Sequence, residues 1–144
     1  MNTKVVALDI YGTLLPTKGN NIPRKGLESF LNNCKSEELI LCTCSDGKIQ
    51  EVKNDLLEAG IDLKCFNKYF EMPRQSADFI KQPKDPTIIL NYYNLSPEEL
   101  TVIGDREERD IAYARELGCN TILVPEYKIP EDKDNFDLSK LEIK

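Results

Sequence analysis

The chain has 144 residues, enough for one domain with an ordinary core, and its 40% hydrophobic and 31% charged residues are a globular rather than a disordered composition. Its net charge is −6 with no block of Lys and Arg to attract nucleic acid, and no apolar run approaches the roughly 18 residues that span a bilayer. Histidine is absent, which excludes Ser-His and Cys-His nucleophile systems, histidine-ligated zinc and the commonest neutral-pH general base.

The N-terminus lacks the basic-then-apolar layout of a signal peptide. The five cysteines (Cys34, Cys42, Cys44, Cys65 and Cys119) are an odd number without CxxC spacing, so they read as reduced core thiols in a cytoplasmic protein. Cys42 and Cys44 would share one face of a strand, which leaves a redox pair or metal site as the competing reading.

Residues 4–9 form an apolar run that ends on Asp9 and passes into Ile10-Tyr11-Gly12-Thr13-Leu14. A carboxylate at the end of a buried strand is costly unless something there uses it. A polar loop from Pro16 to Pro23 follows, and then Leu27, Phe30, Leu31 and Cys34 recur with helical spacing. Leu39 to Thr43 reads as a second strand and about Gly47 to Ala59 as a helix stopped by Gly60. Residues 61–83 are the least legible, with a short strand expected between Cys65 and Phe70. Asp85-Pro86 has the character of a helix start, and that helix runs to about Asn94. Ser96-Pro97-Glu98-Glu99 is a tight polar turn into the run Leu100-Thr101-Val102-Ile103-Gly104, which ends on Asp105; Asp110 follows five residues later. A helix over about 107–117 ends at Gly118, Thr121 to Val124 is a last core strand, and 125–144 is an acidic, Pro-broken tail that ends in Phe136, Leu138, Leu141 and Ile143.

Continuous apolar strands alternating with amphipathic helices predict a parallel sheet covered on both faces, an α/β fold in one domain spanning 1–144 with its core at about 4–124. Asp9, Thr43 and Asp105 then follow strands at one sheet edge, where open α/β sheets place their ligands. The strand-end carboxylates Asp9 and Asp105, with Asp110 near them, point to one acidic, metal-binding site.

With these elements in this order, the chain resembles the haloacid dehalogenase-like (HAD) hydrolases, mostly phosphatases on a Rossmann-like core. Asp9-Ile10-Tyr11-Gly12-Thr13-Leu14 is similar to the family's nucleophile motif, Leu41-Cys42-Thr43 to its strand ending in Ser or Thr, Lys84 (with Lys81 as the alternative) to its lysine, and Gly104-Asp105 with Asp110 to its acidic motif. The resemblance implies Mg²⁺ as cofactor, held by Asp9, the main-chain carbonyl of Tyr11, Asp105 and Asp110, the last either directly or through a water. It implies that Asp9 attacks phosphorus to form an aspartyl-phosphate, that Thr43, Lys84 and the backbone at Gly12 hold the phosphate, and that Gly12 allows the turn after the nucleophile.

Two departures matter. Tyr11 stands where most family phosphatases carry a second aspartate, the general acid and base, so unactivated alkyl phosphates are expected to be poor substrates. Only 28 residues separate Leu14 from Thr43 and 40 separate Thr43 from Lys84, which leaves no room for a cap domain at either position. A capless site suits a macromolecular phosphate, or a smaller one if a neighbouring subunit of a homo-oligomer covers it; no membrane or nucleic-acid partner is expected. The rival to a phosphatase is a non-catalytic relative that binds metal or phosphate and works through a partner. A 2-haloacid dehalogenase ranks third, because its fourth motif and helical cap are missing here, and a receiver domain ranks lower.

Overall fold

A computed structural model describes residues 3–73, 83–132 and 135–144. Strand β1 (Val5–Leu8) lies at the centre of a five-stranded, wholly parallel sheet whose other strands are β2 (Ile40–Ser45), β3 (Lys68–Glu71), β4 (Leu100–Gly104) and β5 (Asn120–Leu123), in the order β3-β2-β1-β4-β5. The order reverses at β1, so the chain crosses to one side through β2 and β3 and to the other through β4 and β5. The mouth between β1 and its two neighbours is where such sheets bind ligands.

The side chains of β1 alternate between two cores. Val6 and Leu8 face helices α1 (Leu27–Ser36) and α2 (Ile49–Glu58) through Leu27, Phe30, Val52 and Leu56. Val5 and Ala7 face α3 (Thr87–Tyr93) and α4 (Ala112–Leu117) through Ile89, Leu90 and Ala114. Every residue of β1 is fully buried, as the continuous apolar run requires. The result is a three-layer sandwich, and among the described residues neither connection beside the site carries a cap domain.

Local chemistry sets the element ends. Asp85 accepts hydrogen bonds from the amide and hydroxyl of Thr87 at 3.0 and 2.6 Å and so opens α3, as the sequence predicts. Gly60 and Gly118 take φ of +80° and +99° where α2 and α4 stop. The expected strand inside 65–70 is β3, displaced to Lys68–Glu71. Two boundaries differ from the sequence reading. Strand β2 runs two residues past Thr43, because Cys44 and Ser45 pair with Phe70 and Glu71 of a strand that leaves little pattern in the sequence. The helix expected over about 107–117 begins as one wide π turn, Glu107–Ile111, before α4.

The tail is part of the fold. Its Tyr127 amide donates to the Gly12 carbonyl at 2.8 Å, the Leu138 amide donates to the Lys25 carbonyl at 2.9 Å, and Leu138 is fully buried in the α1–α2 core. Leu138→Ala should therefore cost about 2–4 kcal/mol in urea unfolding, as for other buried leucines. A loss below about 0.5 kcal/mol, the scale of surface changes, would mean that the tail is not core.

Candidate active site

Parallel register brings the site together. Leu8 stands opposite Thr43 on one side and Ile103 on the other, so the next residues along, Asp9, Cys44 and Gly104, end side by side. The Asp9 amide donates to the Ile103 carbonyl at 3.0 Å, which holds the carboxylate at the sheet edge. Asp105 follows β4 directly. Asp110 is turned back toward it by the π turn, a device common at functional sites.

The three carboxylates converge: Asp9, Asp105 and Asp110 each offer an oxygen, and these atoms lie within 4.8 Å of one another. Two glycines make room for them. A Cβ on Gly12, whose φ is +88°, would lie 2.4 Å from Asp105 Oδ2, and one on Gly104 would lie 2.5 Å from the Asp110 Cβ. Close approach is therefore the reason for glycine at both positions. The Gly12 amide donates to the Leu15 carbonyl at 2.7 Å, so its role here is the turn, and the phosphate-binding role expected of its backbone is not available to that amide.

Lys84 lies among them. Its Nζ donates to Asp9 Oδ1 at 2.8 Å and to the Cys44 carbonyl at 2.7 Å, and it lies 2.6 Å from Asp110 Oδ1. Its amide is tied to the Arg109 carbonyl at 2.8 Å. Lys81, the alternative, lies outside the described residues. The Thr13 hydroxyl reaches Asp9 Oδ2 at 3.0 Å and Asp105 Oδ1 at 3.2 Å, and the Arg106 amide donates to Asp110 Oδ2 at 3.1 Å. Asp105 Oδ2 is buried and has no hydrogen-bond partner among the described residues, and Asp110 Oδ1 is satisfied by the Lys84 charge rather than by an aligned hydrogen bond.

Burial governs the charges. Desolvation raises the carboxyls of Asp9 and Asp110 to about 6; Lys84 pulls both down and, for Asp110, the Asp9 charge adds to the rise. Asp105 is raised for the same first reason. For Lys84 burial works against the ammonium, but the charges of Asp9 and Asp110 outweigh it and hold the group protonated well above the usual lysine range. An orphaned buried carboxylate oxygen, an all-oxygen donor set and a net negative charge fit a hard divalent cation of the Mg²⁺ type.

The sequence-expected residues are thus mostly together, with one exception. Thr43 is buried inside β2, two residues short of the strand end, and does not line the cleft. Ser45 stands at that end, lines the cleft, and accepts from the Gly47 amide at 3.1 Å. Its only signal in the sequence is that Ser45-Asp46-Gly47, not Thr43, is the turn. The cleft has a volume of about 380 Å³ and includes Tyr11, Glu51, Asp55, Arg106 and Arg109 besides Asp9, Lys84 and Asp110. A larger groove of about 660 Å³ runs between α1 and residues 59–65, but it holds none of the converging carboxylates.

Tyr11 is turned away from proton transfer at the centre. Its hydroxyl donates to Asp55 Oδ2, the Asn21 amide donates to Asp55 Oδ1 at 3.1 Å, and a Cβ on Gly47 would lie 3.2 Å from the tyrosine ring. Burial and then the Asp55 bond push the phenol well above its usual range. Sequence reasoning also missed Arg109, which is buried, holds Asp46 Oδ1 through Nε at 3.0 Å and the Pro73 carbonyl through Nη2 at 3.2 Å, and lies in a charged run that reads as a solvated helix face.

Without a bound cation, the Asp9 and Asp110 carboxyls, at about 6 when folded against 3.8 unfolded, contribute most to stability below pH 3.8 and lose that contribution as pH rises toward 6. Lys84→Met removes their counter-charge and raises both carboxyls further. It should cost about 3–5 kcal/mol at pH 8, and the deficit should shrink at pH 5, measured by urea unfolding with EDTA. An equal deficit at both pH values would contradict this electrostatic picture.

Residues 86–134 match a hydrolase-like family described as HAD-hydrolase-like. No curated protein matches the chain by sequence. Among solved structures, an uncharacterized protein from Listeria monocytogenes serotype 4b is 22% identical, with a TM-score of 0.69 over 90% of this chain and 84% of that one. A predicted phosphoglycolate phosphatase from Haemophilus somnus is 14% identical with a TM-score of 0.69 over 97% and 92%. A haloacid dehalogenase-like family hydrolase from Xanthomonas campestris is 11% identical with a TM-score of 0.74 over 96% and 88%. The chain thus shares the fold of haloacid dehalogenase-like hydrolases, and its residues 86–134 are similar to a family described in those terms.

Proposed function

We propose that the chain is a Mg²⁺-dependent phosphohydrolase in which Asp9 is the nucleophile. The observation that carries this reading is the convergence of Asp9, Asp105 and Asp110 around Lys84 at the mouth of β1 and β4. When bound, the cation supplies the positive charge that lets a dianionic phosphate approach an acidic site. Asp9, Asp105 and the Tyr11 carbonyl would hold it, with Asp110 as a direct ligand or as the holder of a bound water.

In the first step a carboxylate oxygen of Asp9 forms a bond to phosphorus, and the ester oxygen leaves with its electron pair. In the second, water attacks the same phosphorus, the aspartyl oxygen departs, and inorganic phosphate is released. Lys84, 2.8 Å from Asp9, is placed to offset charge on the phosphoryl oxygens, and the Thr13 bond to Asp9 Oδ2 fixes the attacking carboxylate. Ser45, at the end of β2, takes the hydroxyl role expected of Thr43.

Among the described residues no acid stands at the Tyr11 position for the leaving oxygen, because the Tyr11 hydroxyl is committed to Asp55. Leaving groups that depart without a proton are therefore favoured. Para-nitrophenyl phosphate should be turned over with Mg²⁺ and not with EDTA, and Asp9→Asn should abolish that turnover. Tyr11→Asp should raise hydrolysis of an alkyl phosphate roughly 10- to 100-fold while changing the aryl ester little, since general acid catalysis is worth at least that much. Mg²⁺ binding without any turnover would favour the non-catalytic reading, for which the Tyr11–Asp55 bond is the supporting observation.

A further inference from the structure

Arg24 lies in the loop before α1, is 1% exposed, and makes no ion pair with a carboxylate among the described residues. Its guanidinium is spent on main-chain carbonyls. Nε donates to Phe136 at 3.0 Å, Nη2 to Pro125 at 2.6 Å, and Nη1 to Gly12 and Thr13 at 3.4 and 3.3 Å. The rings of Tyr127 and Phe136 flank it at 5.7 and 5.8 Å. A buried cation is expensive, and one that solvates itself on four carbonyls from two distant segments fixes those segments relative to each other.

The two segments differ in what they carry. Gly12 and Thr13 form the turn that places the Thr13 hydroxyl on Asp9 and Asp105, and Gly12 approaches Asp105 so closely that not even a methyl group fits between them. Pro125 and Phe136 belong to the C-terminal tail, whose Tyr127 amide also bonds the Gly12 carbonyl. A small shift of this turn would move a shared donor to both carboxylates and change the distance to the orphaned Asp105 oxygen.

We infer that Arg24 is a positioning residue: by tying the 125–136 segment to the Gly12–Thr13 turn, it sets the geometry in which Asp9 and Asp105 receive a divalent cation. The tail is then part of the site's support, not simply cover for a sheet edge. This inference rests on the metal-site reading above. It is geometric, so a lysine at this position keeps the charge but, with one ammonium, cannot span four carbonyls.

The test is calorimetric titration of Mg²⁺ alone into the full chain, for the parent, Arg24→Lys and Arg24→Gln, with thermal unfolding of each metal-free protein alongside. Both variants should bind Mg²⁺ about tenfold or more weakly, the usual effect of losing the support behind a metal ligand. Parent-like affinity in Arg24→Lys, with loss only in Arg24→Gln, would mean that charge and not the fork matters, and would overturn the inference. Parent-like affinity in both, whatever their melting temperatures, would reduce Arg24 to a stability residue. Should neither variant fold, Phe136→Ala removes one flanking ring while keeping the guanidinium; weaker Mg²⁺ binding there is expected, and unchanged binding overturns the role. A parent that binds no Mg²⁺ overturns the metal-site reading itself, and this inference with it.

Discussion

The structure depends on one buried ammonium. Lys84 has a 4% exposed side chain and lies against Asp9 and Asp110, whose side chains are 11% and 2% exposed. At such distances a pair of unit charges is worth about 6 kcal/mol even at an effective dielectric constant near 20. That attraction competes with desolvation of three groups, so the cluster is tolerated rather than stabilising, and a third carboxylate, Asp105, adds to a charge that is already negative. A fold selected for stability alone would have little reason to keep it. A site that takes up a cation and then an anion, as proposed above, does.

Everything else at the mouth of the sheet serves to hold these charges in register. Strand β1 supplies Asp9, β4 supplies Asp105, the π turn returns Asp110, and Arg109 anchors both the Lys84 backbone and Asp46. On the far wall the Tyr11–Asp55–Asn21 chain ties the post-nucleophile turn and the following loop to α2. The same bond engages the Tyr11 hydroxyl, so under the proposed mechanism rigidity here comes at the expense of an acid for the leaving group. Among the described residues no cap stands over the cleft, and its lining is mostly charged.

Much of this was legible in the sequence because strand ends are. An apolar run ending in Asp9 and another ending in Gly104-Asp105 can be read directly, and a parallel sheet brings such ends together. Asp110 followed from spacing, whereas Lys84, with Lys81 as the alternative, followed only from the family resemblance. What was not legible depends on partners distant in sequence. Strand β2 extends to Ser45 because β3 pairs with it, and β3, with a half-buried Lys68 and an exposed Glu71 at its ends, carries little pattern, so the sequence points to Thr43 and not to Ser45. Arg24 and Arg109 look like surface arginines until the carbonyls and carboxylate that receive them are known. The apolar residues Phe136, Leu138, Leu141 and Ile143 mark the tail as able to dock on the core, and they do, but the bonds of Tyr127 and Leu138 to loops more than a hundred residues earlier leave no sequence signal.

The central claim is that Asp9 itself carries the phosphoryl group, and chemical trapping addresses it most directly. The protein would be mixed with Mg²⁺ and an aryl phosphate, quenched with borohydride to reduce any acyl phosphate to the alcohol, and mapped by peptide mass spectrometry. The account predicts reduction at residue 9 alone, dependent on both Mg²⁺ and the phosphate ester. Turnover of the ester with no reduction at residue 9, or with reduction at another carboxylate, would contradict it.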